Sequence, residues 1–157
     1  MQLERIDVQN RKYANALIEK HFFSLEMVCR DEVIDMTLQD GFLCTQDGAY
    51  IGVITWQDRG DMLDVTALCT DVAGQGVGTR LLTKAKEAAV LQNKKGVTLI
   101  TTNDNIRALY FYQTRGFWIK GIDIGAVGRA RKIKPVIPLF GEHDIPLRDE
   151  IELVWRT

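Results

Sequence analysis

The stretch Val72-Ala-Gly-Gln-Gly-Val-Gly-Thr-Arg-Leu-Leu82 decides how this chain is read. Before it, residues 62–69 (MLDVTALC) carry the β-branched, alternating pattern of a strand. After it, Leu81, Leu82, Ala85, Ala88 and Ala89 recur at helical spacing, with Lys84, Lys86 and Glu87 on the other face. A glycine-rich turn between strand and helix aims several backbone N–H groups at one spot on the positive end of the helix dipole, which suits a phosphate or pyrophosphate. A tight turn with no ligand is the competing reading of the glycines alone. No Lys-Ser or Lys-Thr pair follows, as a Walker A loop demands, and the spacing Gly74, Gly76, Thr79 lacks the third glycine of a dinucleotide fingerprint. The stretch calls for an anion, by neither of the two commonest nucleotide routes.

Working outward, the chain alternates short strands with amphipathic helices and shows no internal repeat. Residues 3–8 read as an opening strand and 11–22 as a helix. Residues 24–40 leave strand and loop open. Phe42 to Thr45, a turn at Gln46-Asp47-Gly48, and Tyr50 to Gln57 form a hairpin, because Asp-Gly supplies the positive φ of a tight turn. Beyond Gly96, residues 97–101 (VTLIT) are a β-branched run of buried-strand length. Asn103, Asp104 and Asn105 are candidate N-caps for a helix carrying Ala108, Leu109 and Tyr112 that stops at Gly116. Strands at 117–124 and 151–156 flank a connection, about 125–150, that holds all three prolines. The class is α/β (α+β), with strands dominating the first half and a βαβα core in the middle.

Length and composition bound the function. One hundred and fifty-seven residues, 46% hydrophobic and 26% charged, predict a single domain, 1–157. Twenty Lys and Arg against 21 Asp and Glu leave a net charge of -1 and no basic field for a nucleic-acid backbone. Cys29, Cys44 and Cys69 have no CxxC spacing, and His21 and His143 lie far apart, so neither a disulfide scaffold nor a zinc site is indicated. The only serine, Ser24, has no flanking glycine, which excludes a nucleophile elbow. The first residues lack a signal-peptide pattern and no apolar run approaches the roughly 20 residues of a bilayer span. A cytoplasmic protein with no membrane partner is expected.

The segment VAGQGVGTRLL resembles the acyl-CoA pyrophosphate loop of the GNAT superfamily of N-acyltransferases, whose usual form is Arg or Gln, two residues, Gly, one residue, Gly or Ala. Residues 105–117 (NIRALYFYQTRGF) resemble that superfamily's second signature, Asn-x-x-Ala-x-x-Phe-Tyr-x-x-x-Gly-Phe, at every fixed position. The resemblance covers roughly residues 50–124, and the tail up to RDEIEL is similar to a little-characterised branch of the superfamily. It departs at Ala73, where the loop's opening Arg or Gln would stand. The cradle depends on amides, so that departure leaves it intact.

The resemblance implies a mixed, mostly antiparallel sheet, splayed between two central parallel strands and flanked by helices. It implies acetyl-CoA as co-substrate, no metal, and transfer of the acetyl group to a primary amine, on a small molecule or a peptide, by direct attack in a ternary complex. The amides of Gly74, Gln75, Gly76, Val77, Gly78 and Thr79 would hold the pyrophosphate, with the Thr79 hydroxyl helping. The backbone of Thr66, Ala67 and Leu68 would pair with pantetheine, which behaves as a short strand, and Asn105 would bind the same arm. Tyr112 would protonate the leaving thiolate, its phenol being still a donor at neutral pH; its bland reading is a core aromatic.

Some family members carry a glutamate base where Ile100 stands here. Asp64, the one carboxylate inside the strand 62–69, is the substitute base, sharing a face with Met62, Thr66 and Leu68 by period-two alternation. Pairing with an arginine is the bland reading of Asp64. Arg129, Arg131, Lys132 and Lys134 are candidates for a positive substrate mouth, for the CoA 3′-phosphate, or for a solvated face. Two rivals to the enzyme stay open: a non-catalytic acyl-CoA-binding or sensing module, and an interaction subunit with Trp56, Trp118 or Trp155 in a homodimer seam.

Overall fold

A computed structural model describes residues 1–157, in chain order β1 (Gln2–Arg5), α1 (Arg11–Phe22), β2 (Glu26–Cys29), β3 (Glu32–Asp35), β4 (Asp40–Gln46), β5 (Ala49–Arg59), β6 (Met62–Thr70), α2 (Val77–Leu91), β7 (Gly96–Thr102), α3 (Ile106–Gln113), β8 (Trp118–Asp123), α4 (Ala126–Ile133) and β9 (Glu150–Arg156). The architecture is mixed α/β, and the chain forms two compact units. One holds residues 1–27, 35–97 and 156–157, the other residues 28–34 and 98–155.

In the first unit β4 pairs antiparallel with β1 and with β5, and β5 with β6. The two helices take opposite faces of this sheet. A Cβ on Gly52 would lie 2.8 Å from Val77 and 3.1 Å from Leu81 of α2, so α2 covers the face of Gly52 and its i+2 neighbour Ile54. Cys69, paired with Val53 and so on the other face, points its thiol at the Leu17 carbonyl of α1, 3.8 Å away. Fully buried Ile18, Val53, Ile54, Leu81 and Leu82 fill the space between the layers. Gly41 is demanded by packing, because a Cβ there would fall on the Ile54 carbonyl of β5.

Two expected elements differ. The opening strand stops at Arg5, because Asp7 Oδ1 accepts from the amides of Gln9 (2.8 Å) and Asn10 (2.9 Å), while the Asn10 side chain bonds the Asp7 amide and the Arg5 carbonyl. Side chains competing for backbone partners turn the chain out of the ladder. The ambiguous stretch 24–40 is a β2–β3 hairpin followed by a single 3₁₀ turn over Met36–Leu38, which Asp35 caps through the Thr37 amide at 2.9 Å. Its tip residues Arg30 (φ 53) and Asp31 (φ 59) both sit in the left-handed region, where hairpins usually place Asn or Gly.

In the second unit the strand order is β7-β9-β8. Buried Leu99, Leu153, Phe117 and Val154 make its core, and α4 packs through small buried residues, Ala126, Val127 and Ala130. Asn103 latches the long connection: its Oδ1 accepts from the amides of Arg148 (3.1 Å) and Asp149 (3.0 Å) and its Nδ2 donates to the Pro146 carbonyl (2.9 Å). Of the tryptophans offered for a seam, Trp56 is withdrawn from the surface at 3% exposure, whereas Trp118 on β8 is exposed.

Candidate active site

The glycine loop has the geometry its sequence demands. Gly74 (φ 74) and Gly76 (φ 76) are both left-handed, and Gly76 is the N-cap of α2. The first helical carbonyl–amide bond runs from the Arg80 amide to the Gly76 carbonyl at 3.1 Å, so the amides of Val77, Gly78 and Thr79 precede the first intrahelical donor. Gly74, Gln75 and Gly76 are exposed, and a Cβ on either glycine would meet nothing within 4 Å. The glycines are there for backbone conformation and open approach, not to avoid a neighbour.

On β6 the simple alternation fails. The register runs Ile54 to Leu68, Thr55 to Ala67, then Trp56 to Val65, which makes Thr66 the extra residue of a β-bulge. Asp64 therefore pairs with Gln57, on the face of Ala67 and Cys69, and Leu68 lies on the opposite face with Ile54. Thr66 keeps company with Asp64: its Oγ1 lies 2.8 Å from that of Thr55, which shares the face of Gln57. Asp64 is only 1% exposed and its Oδ2 accepts from Gln57 Nε2 at 3.0 Å. That carboxylate is held inside the strand pair rather than displayed on an open edge.

The second signature lies on α3. Asn105 is its N-cap, with Oδ1 accepting from the Ala108 amide at 3.1 Å, while Nδ2 makes no hydrogen bond within the protein. Tyr112 shares that helix and is 9% exposed, its ring edge-on to Phe111 (5.1 Å) and Phe117 (5.5 Å). The turn that follows returns the Phe117 amide to the Tyr112 carbonyl at 3.1 Å, so the Gly-Phe of the motif sets the ring stack against which Tyr112 is oriented.

The model of the acetyltransferase (GNAT) family matches residues 8–117, a span that contains the glycine loop, the bulged strand and the Asn-to-Phe helix. The chain belongs to the acetyltransferase (GNAT) family. It is 40% identical over 141 residues to the uncharacterized protein YxbD of Bacillus subtilis (strain 168), covering 89% of each chain, and 36% identical over 133 residues to YdhI of the same organism, covering 84% and 83%. Among solved structures, a Bacillus subtilis acetyltransferase in complex with CoA is 20% identical with a TM-score of 0.76, over 99% of this chain and 98% of its own. An IAA acetyltransferase from Bacillus cereus ATCC 14579 is 22% identical with a TM-score of 0.75, over 99% of both chains. At those identities the structures establish the GNAT fold, a mixed sheet that is mostly antiparallel and includes parallel strands. Membership makes the protein an acyl-CoA-dependent acetyltransferase.

Within this GNAT chain the basic residues of 125–150 are largely spoken for. Arg129 bridges Asp31 (3.0 Å) and Asp123 (2.6 Å), and those carboxylates raise its pKa. Arg131 donates to the Pro138 carbonyl at 2.7 Å and the Leu147 carbonyl at 2.6 Å, which makes it a strut of the connection. Neither is a free positive mouth. Instead a cleft of about 330 Å³ opens in the second unit, lined by Ile100 and Ile122 and by the charged residues Arg30, Asp123, Glu150 and Glu152. Nothing in the sequence pattern singled out Glu150 or Glu152, because their neighbour in the cleft, Arg30, is 120 residues away from Glu150.

The two buried thiols, Cys44 and Cys69, are poor nucleophiles. Burial pushes Cys69 up to about 12, with Asp71 adding to it, and burial raises Cys44 as well. A thiol at such a pKa is protonated at neutral pH and cannot carry an acyl intermediate.

Proposed function

We propose that the protein transfers an acetyl group from acetyl-CoA to a primary amine by direct attack in a ternary complex. The observation that carries this reading is the loop Gly74–Gly76, two left-handed glycines opening α2, whose first helical amide-to-carbonyl bond begins only at Arg80. Such a terminus binds phosphate oxygens. That the donor is acetyl-CoA is supported by solved proteins of this fold, one in complex with CoA and another, from Elizabethkingia anophelis, with acetyl-CoA bound.

In this reading the amides of Gly74 to Thr79 hold pyrophosphate and the backbone of Thr66, Ala67 and Leu68 offers hydrogen bonds to pantetheine. The Thr66 bulge supports the second role, since a bulge interrupts ladder pairing and leaves backbone groups for another partner. Asn105 Nδ2, unused by the protein, donates to the same arm. Tyr112 protonates the thiolate that leaves as the amine attacks the thioester. The buried, protonated thiol of Cys69 favours direct attack over an acyl-cysteine. Asp64 is a base only if an amine or a water can reach a carboxylate that Gln57 already holds.

The test is CoA release measured with acetyl-CoA and a panel of amines. Turnover with at least one amine, with both substrates required before any CoA appears, is the expected result. Acetyl-CoA binding with no turnover on any amine would favour the non-catalytic module instead. An acetylated protein isolated without amine would overturn direct attack.

A further inference from the structure

The cleft in the second unit holds more negative charge than its partners neutralise. Four carboxylates line it, Asp31, Asp123, Glu150 and Glu152, against one guanidinium, Arg30. Arg30 Nη2 is committed to Glu152 at 2.9 Å, and Lys120 stands 3.6 Å from the other oxygen of Glu152. Arg129 of α4 is shared between Asp31 and Asp123. Glu150 is left with a neutral partner: its Oε1 accepts from the Arg30 amide at 3.0 Å and its Oε2 accepts from no protein group.

Glu150 is at the same time 5% exposed, and a buried carboxylate outside an ion pair is costly. Burial raises its pKa, and Asp123 and Asp31 push in the same direction against the pull of Arg30. The hairpin tip that delivers the Arg30 amide holds two non-glycine residues at positive φ, a conformation that persists only where surrounding contacts enforce it. Those contacts are the bonds of Arg30 to Glu150 and Glu152 and of Asp31 to Arg129. The cleft is thus a built feature, and its size lies within the roughly 300 to 1,000 Å³ of ligand pockets.

We propose that this cleft is the acceptor pocket, that it takes a small aliphatic amine as its ammonium, and that Glu150 binds that ammonium and accepts its proton. The proposal rests on the N-acetyl-transfer reading and names its acceptor class. Ile100 and Ile122 supply apolar wall for the methylenes, and the Oε2 of Glu150 supplies the missing acceptor. An acceptor carrying its own carboxylate adds negative charge to a cleft whose carboxylates already outnumber their cations, and is disfavoured. The proton balance closes: the ammonium gives one proton to Glu150, which later releases it to water. The free amine forms its N–C bond as the C–S bond breaks, and the second nitrogen proton balances the one that the thiolate gains through Tyr112.

Calorimetric titration of n-butylamine and 4-aminobutanoate, with CoA present and absent, tests the cleft without turnover. The expected result is n-butylamine bound at least about tenfold more tightly than 4-aminobutanoate. Glu150→Gln, which keeps the shape and the bond to the Arg30 amide, should lose about tenfold or more. Wild-type binding should weaken as pH falls through the raised pKa of Glu150. Asp31, Asp123, Glu152, Arg30, Arg129 and Lys120 face the same cleft, so the Gln variant is the control that assigns the pH dependence. Ile122→Lys, at a side chain 57% exposed and therefore harmless to folding, should abolish amine binding by placing a cation in the cleft. No amine binding, or binding unchanged in both variants, overturns the proposal. Glu150-dependent binding without CoA release from any amine supports the cleft and sinks the transfer reading. CoA release indifferent to Glu150→Gln keeps transfer and overturns the role of Glu150.

Discussion

Replacing Gly76 separates a conformational requirement from a steric one. Its φ of 76 places it in the left-handed region at the N-cap of α2, and a Cβ built there meets nothing within 4 Å. A valine therefore clashes only with its own backbone, at a cost of about 1–2 kcal/mol for an L-residue in this region. The chain has two responses. It can keep the loop and lose that stability, a fall in Tm of roughly 2–4 °C per kcal/mol for a domain of this size. Or it can relax to negative φ, rotating the peptide that joins Gly76 to Val77 and turning the amide donors away from the pyrophosphate. The second response should weaken acetyl-CoA binding at least about tenfold, or 1.4 kcal/mol. Asparagine is of similar bulk but visits the left-handed region readily, so Gly76→Asn should stay within a few-fold of wild type. Isothermal titration with acetyl-CoA and thermal melts monitored by circular dichroism read both quantities. A folded Gly76→Val protein that binds acetyl-CoA like wild type would refute the cradle. An asparagine variant as damaged as the valine one would refute the conformational account, since the open space then fails to explain the loss.

Tyr112→Phe should keep the ring contacts with Phe111 and Phe117 and lower turnover by roughly 10² to 10⁴ at unchanged CoA affinity; wild-type turnover with chemistry rate-limiting would return Tyr112 to a packing role. Asp64→Asn distinguishes a base from a strand partner: a base predicts a loss greatest at neutral pH that shrinks toward the amine's pKa near 10, whereas the Gln57 bond predicts lower thermal stability and a parallel pH–rate profile. Cys69, held up to about 12 by burial, should resist alkylation by iodoacetamide at pH 8 in the folded protein and react on denaturation; rapid native labelling at Cys69 would reopen a covalent route. At Asp71, burial works to raise the pKa, but hydrogen bonds from His21 (2.7 Å) and Lys20 (3.0 Å) outweigh it and lower the folded value. Its contribution to stability is accordingly present above the ordinary aspartate pKa and is lost as pH falls through the lowered one; melts across that acid range should lose this slope in Asp71→Asn, and an unchanged slope would remove the pairing from the stability account.

The local elements were legible because their causes are local. The loop at 74–79 shows its glycines, the α2 face shows its helical spacing, and the Asn105 cap and the Gly116 stop lie within a few residues of what they control. Backbone sterics and hydrophobic periodicity act over one or two turns of chain, so family and glycine loop are written in consecutive residues. What failed was alternation across β6, where one inserted residue at Thr66 moves Asp64 away from the face of Leu68; a bulge is a property of the pair of strands, and β6 read alone contains no trace of it. The β2–β3 hairpin escaped for a related reason, since its tip carries Arg30 and Asp31 in place of the usual turn residues and is held by groups about a hundred residues downstream. The same distance explains the basic connection, whose charges look free in sequence until folding brings Asp31 and Asp123 to Arg129. The sequence by itself determined the family, the order of most elements and the left-handed glycines that open α2, because these depend on neighbours along the chain. Only tertiary structure decided which carboxylates form ion pairs and that Glu150 lines a cleft with a backbone amide, not a cation, as its hydrogen-bond partner, because charge pairing and desolvation depend on neighbours in space.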